Sequence, residues 1–344
     1  MTSLSVDPQV VTSPELASPL RWKGPLFVTG LWRSGTSLLY ALLNKHPQIG
    51  LLYEGDLYLL RPLFRVPGAS RRWLARWNFW NEAPERHGLD VGRIPMDISR
   101  LSTAMEKAYR EYARQKGALI WGEKSLHFQH SFDCIVEEFP EARFIFLWRD
   151  LTAICTSVLR AQDNSYFGQR GMIERTLGRF QIMKAQCDRL VRQGVPVHQI
   201  HYETLTKDPA GVMADICKFL DVPFLPEVAS LSGADRSAIY EGDHHSLVKS
   251  ERIVSSSKRS EILPAELKRK IERYKSSSES GDRSISSSES TDSQKPSFRE
   301  RLYDRVLYRC LRTYDAAVIF IYCFAPFWLL KRYRAYRHPV HLNS

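Results

Sequence analysis

The segment PLFVTGLWRSGTSLLYALLNK, residues 25–45, holds a strand, a turn and a helix in 21 positions. Pro25–Thr29 is a short apolar run bounded by Gly24 and Gly30, the signature of a buried strand. Residues 36–45 then carry apolar side chains at helical spacing and are stopped by Pro47. The same order recurs further on. Arg143–Trp148 (RFIFLW) reads as a strand, followed by the helical stretch Ala153–Arg160. Val195–Tyr202 (VPVHQIHY) is another, ahead of the helical periodicity of Ala210–Leu220. Strands alternating with helices predict an α/β domain, with a central parallel sheet covered on both faces. Between the first units lie a long helical stretch, Ser99–Gln115, and the aromatic-basic segment Arg71–Trp80 (RRWLARWNFW). The commoner use of such aromatics is core packing; a platform for an acceptor molecule is the alternative.

Composition limits the rest. The chain has 344 residues, 43% of them hydrophobic and 25% charged, which is the globular average and excludes a fibrous or wholly unfolded polypeptide. Its six cysteines (134, 155, 187, 217, 310 and 323) show neither a CxxC pair nor metal-ligand spacing, so neither a disulfide framework nor a metal site is expected. The first 24 residues contain three prolines and no apolar core of signal-peptide length, so a cytoplasmic, reducing setting is expected. The net charge is +11, and +6 of it falls in the last 46 residues. A modest excess over the remainder argues against nucleic acid as a partner and points to something local at the C-terminus. Residues 276–293 include ten serines and one aliphatic side chain, too little apolar surface to fold. The expected organisation is a tail over 1–24, the α/β domain over 25–275, a Ser-rich linker over 276–297, and a basic, hydrophobic helical segment over 298–344.

The chemistry starts at Gly30-Leu31-Trp32-Arg33-Ser34-Gly35-Thr36-Ser37. Against the phosphate-loop pattern GxxxxGK followed by Ser or Thr, both glycines and Ser37 match, while Thr36 replaces the lysine. Backbone N–H groups at a helix N-terminus still face an anion there, and glycine still lets the backbone approach it. The lysine that holds the β- and γ-phosphates in nucleoside triphosphatases is gone, which disfavours a nucleotide kinase. Arg33 supplies a planar, permanently charged donor instead.

These residues resemble the sulfotransferase family that uses 3′-phosphoadenosine 5′-phosphosulfate (PAPS) and releases adenosine 3′,5′-bisphosphate (PAP). The family's fold is similar to the nucleotide kinases: a P-loop, three-layer architecture. The resemblance implies that Arg33, Ser34, Gly35, Thr36 and Ser37 hold the 5′-phosphosulfate. It further implies that Arg149, at the end of RFIFLW, and Ser157, eight positions on, bind the donor's 3′-phosphate. An arginine at a strand's carboxyl end and a serine on the next helix can converge on one phosphate. The polar, basic stretch Lys249–Arg259 is similar to a family segment that covers the nucleotide, which adds Lys258 and Arg259 as donor contacts.

Without gaps, the chain aligns best with the tyrosylprotein and Golgi-type branch. There a glutamate 21 residues beyond the loop arginine takes the acceptor's proton, and the same count from Arg33 reaches Glu54. Asp56 and His127 are the competing bases. Glu123-Lys124-Ser125 resembles the lysine-containing segment of the family, where Lys124 would neutralise charge on the transferring group. The cysteines that flank these segments in that branch are replaced near Leu52 and Gly122, and an N-terminal anchor is not read, so a protein-tyrosine acceptor is not implied. The expected partners are PAPS and a hydroxyl- or amine-bearing carbohydrate, lipid or small molecule. A non-catalytic, membrane-associated nucleotide-binding protein is the alternative from another class.

The tail is read separately. Ala316–Leu330 has no charged residue, and fifteen residues reach about 22 Å as a helix, short of the ~30 Å hydrocarbon core. Pro326 shortens it further, and arginines and lysines flank it on both sides. Peripheral association with an anionic membrane surface is expected, with packing against the catalytic domain as the alternative.

Overall fold

In the computed structural model, the described residues are 23–128, 131–161, 167–169, 171–240, 248, 253, 263–279, 313 and 316–337. Five strands form one sheet: β1 (Pro25–Gly30), β2 (Ile49–Tyr53), β3 (Ile120–Lys124), β4 (Arg143–Trp148) and β5 (Val197–His201). Their order is β2-β3-β1-β4-β5, and every neighbouring pair is parallel. The sheet is therefore the predicted one, with β2 and β3 added on one side of the first strand.

Side chains alternate along each strand and so divide the core in two. Leu26, Val28, Leu51, Ile145 and Leu147 face one side, against α1 (Thr36–Asn44) and the later helix Pro209–Leu220. Phe27, Leu52, Trp121, Phe144 and Phe146 face the other, where they meet Phe128, Phe132 and Phe139. Phe27 alone lies 5.3 Å from the ring of Phe128 and 5.6 Å from that of Phe144. The second face is completed by the helices Leu101–Gln115, Leu151–Arg160 and Met172–Arg192. Helix, sheet, helix: the architecture is three-layered.

The segment 71–80 turns two of its tryptophans into the core. Trp73 and Trp77, on the helix Trp73–Asn81, are completely buried, with their rings stacked 6.1 Å apart. The helix Ala265–Glu279 is tied to the domain: it buries Ile271, and its Lys275 pairs with Asp150 at 2.8 Å. Near the C-terminus, residues 316–324 and Phe327–Arg337 are helical, with the break at Ala325–Pro326. Tertiary contacts hold this segment: Arg76 donates to the carbonyl of Tyr322 at 2.9 Å, and Cys323 and Leu330 are buried.

One position fixes the spacing of β1 and β3. Gly122 has φ 151°, and a Cβ there would stand 1.9 Å from the carbonyl oxygen of Leu26. The obstacle is strand backbone, which cannot swing aside as a side chain can. Gly122→Ala should therefore destabilise the fold by at least about 3 kcal/mol in urea titrations, in the range of severe core lesions. A loss below about 0.5 kcal/mol, the scale of an ordinary surface substitution, would contradict the packing.

Candidate active site

In a parallel sheet all carboxyl ends point the same way, so the loops leaving the five strands share one edge. β1 ends at Gly30 and α1 begins at Thr36, and the chain must reverse in between. Two residues take left-handed backbone to do so, Arg33 at φ 66° and Gly35 at φ 98°. Gly35 is also sterically required, because a Cβ would lie 2.4 Å from the ring of Tyr202, just past β5. The N–H groups of Thr36 and Ser37 open the helix and have no acceptor within it. The hydroxyls are used locally: Ser34 Oγ donates to the carbonyl of Leu31 at 2.6 Å, and Ser37 Oγ lies 2.7 Å from Tyr53 Oη. What the loop turns toward the sheet edge is its backbone and Arg33.

Arg33 joins the two anion motifs. Its Nε donates to Ser157 Oγ at 2.8 Å. Arg149, immediately after β4, donates through Nη1 to the carbonyl of Arg33 at 2.5 Å, and its guanidinium lies 4.4 Å from the ring centre of Tyr202. Asp150 caps the following helix, its carboxylate accepting from the N–H of Ala153 at 2.8 Å, which sets the path of the backbone beyond Arg149. Burial, and then the charge of Arg149, hold the Arg33 guanidinium below its ordinary value. Two like charges kept this close favour an anion beside them.

The second half of the site lies across β1. Lys124 ends β3, in register with Val28 of β1 and Tyr53 of β2. Its side chain is only 1% exposed, and Nζ meets Glu54 Oε1 at 2.5 Å, with the Tyr53 ring centre 4.2 Å away. Glu54 begins the turn after β2, and its N–H donates to the carbonyl of Lys124 at 2.7 Å. Glu54 and Asp56 both have left-handed backbone, φ 48° and 51°, a strain that persists only where neighbours enforce it. Here the neighbours are visible. Trp77 Nε1 donates to the carbonyl of Gly55 at 2.6 Å, and Glu123 Oε2 accepts from the N–H of Asp56 at 2.9 Å.

Behind that turn lies a network outside the reach of any local motif. Asp56 is buried; its Oδ1 accepts from Ser125, and its Oδ2 lies 3.0 Å from His127 Nδ1. Burial pushes the Asp56 carboxyl up, but His127, Ser125 and Lys124 outweigh it and leave the group below its usual value. Asp56 thus holds His127, with both of its carboxylate oxygens engaged. Glu123 behaves oppositely. Burial and the neighbouring Asp56 charge push its carboxyl well above the usual range, against the hydrogen bonds it accepts from Tyr109 and Asp56.

Of the residues selected from sequence, Arg33, Ser34, Gly35, Thr36, Ser37, Arg149 and Ser157 gather at the β1 and β4 ends. Glu54 and Lys124 meet at the β2 and β3 ends. Lys258 and Arg259 lie outside the described residues. Sequence reasoning missed Glu123 and Tyr109 as partners and Tyr202 as the plate beneath Arg149. It also missed Arg86, which donates to the carbonyls of Tyr53 and Glu54 at 3.3 and 3.4 Å. None of them has a spacing signal; the positions meet only through the fold.

The family model described as Sulfotransferase family matches residues 25–226, and the chain belongs to that family. Among curated proteins it is 25% identical to the protein-tyrosine sulfotransferase of Drosophila melanogaster, over 64% of this chain and 42% of that one. It is 24% identical to protein-tyrosine sulfotransferase A of Caenorhabditis elegans, over 62% and 56% respectively. The chain thus spans about half the length of the curated relatives it matches. Its fold is similar to the sulfotransferase domain of the Synechococcus PCC 7002 olefin synthase. That likeness has a TM-score of 0.52, with 20% identity, over 77% of this chain and 97% of that one. The sulfotransferase domain of the curacin biosynthetic pathway gives 0.50 at 20% identity, over 74% and 98%.

Glu123 makes the site's electrostatics testable. A carboxyl ionises near 4.5 when unperturbed. In the folded chain Glu123 keeps its proton above that pH, so the folded state binds more protons and stability falls as pH rises. Glu123→Gln removes this proton. Its melting temperature relative to the unchanged protein should therefore climb as the pH rises above about 4.5. Parallel pH profiles for the two proteins would contradict a neutral Glu123.

Proposed function

We propose that the chain transfers a sulfuryl group from PAPS to an acceptor hydroxyl. The observation that carries the reading is the convergence, on one sheet edge, of the Arg33–Ser157–Arg149 cluster with the Lys124–Glu54 pair. The donor set fits an anion with two charged ends. Gly30 and Gly35 let the loop pack tightly against its neighbours, since a Cβ on Gly30 would come within 2.8 Å of the Leu147 carbonyl and one on Gly35 within 2.4 Å of the Tyr202 ring. Arg33 and the N–H groups of Thr36 and Ser37 suit the 5′-phosphosulfate; Arg149 and Ser157 suit the 3′-phosphate. PAPS supplies the activated sulfuryl group, and PAP leaves.

The residues then divide the work. Glu54 accepts the proton of the acceptor oxygen as that oxygen bonds to sulfur and the bond from sulfur to the phosphate oxygen breaks. Lys124 has three N–H donors, so it can hold Glu54 and still face the charge building on the sulfuryl and bridging oxygens. Arg33 stabilises the same charge from the other side. Positioning and preorganised charge would supply most of the rate enhancement, as in phosphoryl transfer. A hydroxyl acceptor agrees with the similarity to protein-tyrosine sulfotransferases. Phenols, sugars and lipids remain in the acceptor class.

Labelled PAPS with a panel of hydroxyl acceptors tests this directly. Glu54→Gln should lower turnover by roughly 10²–10⁴ while leaving PAP affinity close to unchanged. Full turnover in Glu54→Gln would pass the base to His127, and loss of PAP binding in that variant would make Glu54 a structural group instead. Labelled ATP giving product where labelled PAPS gives none would overturn the reading altogether.

A further inference from the structure

The C-terminal apolar run has two faces, and only one is spent on the domain. Its inner face lies against the helix Trp73–Asn81. Arg76 is nearly buried there, 4.3 Å from the centre of the Phe327 ring, and Phe79 meets the same ring edge-on at 5.5 Å. Cys323 and Leu330 are fully covered.

The outer face is bare. Residues 316, 317, 320 and 321 are exposed, the spacing of one helical stripe. Phe320 is 60% exposed and Ile321 50%. Beyond Pro326, Trp328 is 66% exposed, and Leu329, Lys331 and Arg332 are exposed as well. Isolated exposed apolar residues need no explanation, but four large ones within ten positions of a docked segment do. Tryptophan with adjoining cations is the composition of a water–lipid boundary.

We propose that this face seats on an anionic lipid bilayer surface. Phe320, Ile321, Trp328 and Leu329 enter the headgroup–acyl boundary, and Lys331 and Arg332 lie among the lipid phosphates. Charge selects this occupant. From Arg299 onward the sequence holds nine lysines and arginines against three acidic residues. A second copy of the chain would bring two such segments together, at a repulsive cost. The contact is interfacial, because among the described residues no helix is long and apolar enough to cross a membrane. The helix Trp73–Asn81 bonds both to this segment, through Arg76 and the carbonyl of Tyr322, and to the turn that bears Glu54, through Trp77 and the carbonyl of Gly55.

Flotation of the full chain decides the matter. Vesicles of phosphatidylcholine containing about 30 mol% phosphatidylglycerol should carry it upward at low salt and release it at high salt, as an electrostatic contact requires. Pure phosphatidylcholine should carry much less. Trp328→Ser with Leu329→Ser, and separately Lys331→Glu with Arg332→Glu, should each weaken partitioning at least about tenfold. All four side chains are solvent-exposed, so the melting temperature should hold. A chain that stays soluble with the anionic vesicles, or double variants that float as well as the unchanged protein, would overturn the proposal. So would a concentration-dependent dimer, without flotation, that the Trp328→Ser and Leu329→Ser pair abolishes.

Discussion

A lysine ammonium buried to 1% exposure is the constraint around which this site is built. Removing such a charge from water costs several kcal/mol unless partners replace the solvent. Lys124 finds them in the Glu54 carboxylate and the face of Tyr53, both at the end of β2, the strand that flanks it. That requirement fixes the left-handed turn at Glu54–Asp56, which in turn needs Trp77 and Glu123 to hold it. Three carboxylates then crowd together, two from this turn and one from β3. They divide the labour: Glu54 faces Lys124, Asp56 faces His127 and Ser125, and burial with the Asp56 charge pushes the Glu123 carboxyl up.

Across β1 the electrostatics invert. Here two guanidiniums sit together, tied by a hydrogen bond from Arg149 to the Arg33 carbonyl rather than separated. An array of donors with this excess of positive charge is suited to a dianionic ligand, and its rigidity removes the need to reorganise on binding. Tyr202 serves both elements at once, lying under the Arg149 guanidinium and closing the space beside Gly35. The family match over residues 25–226 covers both of these elements.

Sheet and loop are legible because each is local: a strand, a glycine turn and a helix leave their periodicities within 21 residues. Arg149, Ser157, Glu54 and Lys124 come through the family resemblance, and no property of the chain between Glu54 and Lys124 indicates that their side chains touch. The Asp56–His127 pair joins positions 71 apart, and the Tyr109–Glu123 bond depends on how one helix packs against β3. The tail misleads for a related reason. Its serine-rich approach reads as a tether, whereas the nearly buried Arg76, against the half-buried Phe327 ring, makes a contact across 246 positions of sequence from Arg76 to Tyr322.

The central claim is that the β1 loop and the β4 end form one site for a ligand with two anionic ends. Calorimetry with PAP and with adenosine 5′-monophosphate, which lacks the 3′-phosphate, tests it most directly. The account predicts that the unchanged protein prefers PAP by at least about tenfold, and that Arg149→Ala erases most of that preference through loss of a charge-assisted bond of about 1.5–3 kcal/mol. Equal affinities for the two ligands, or an Arg149→Ala variant that weakens both alike, would contradict it.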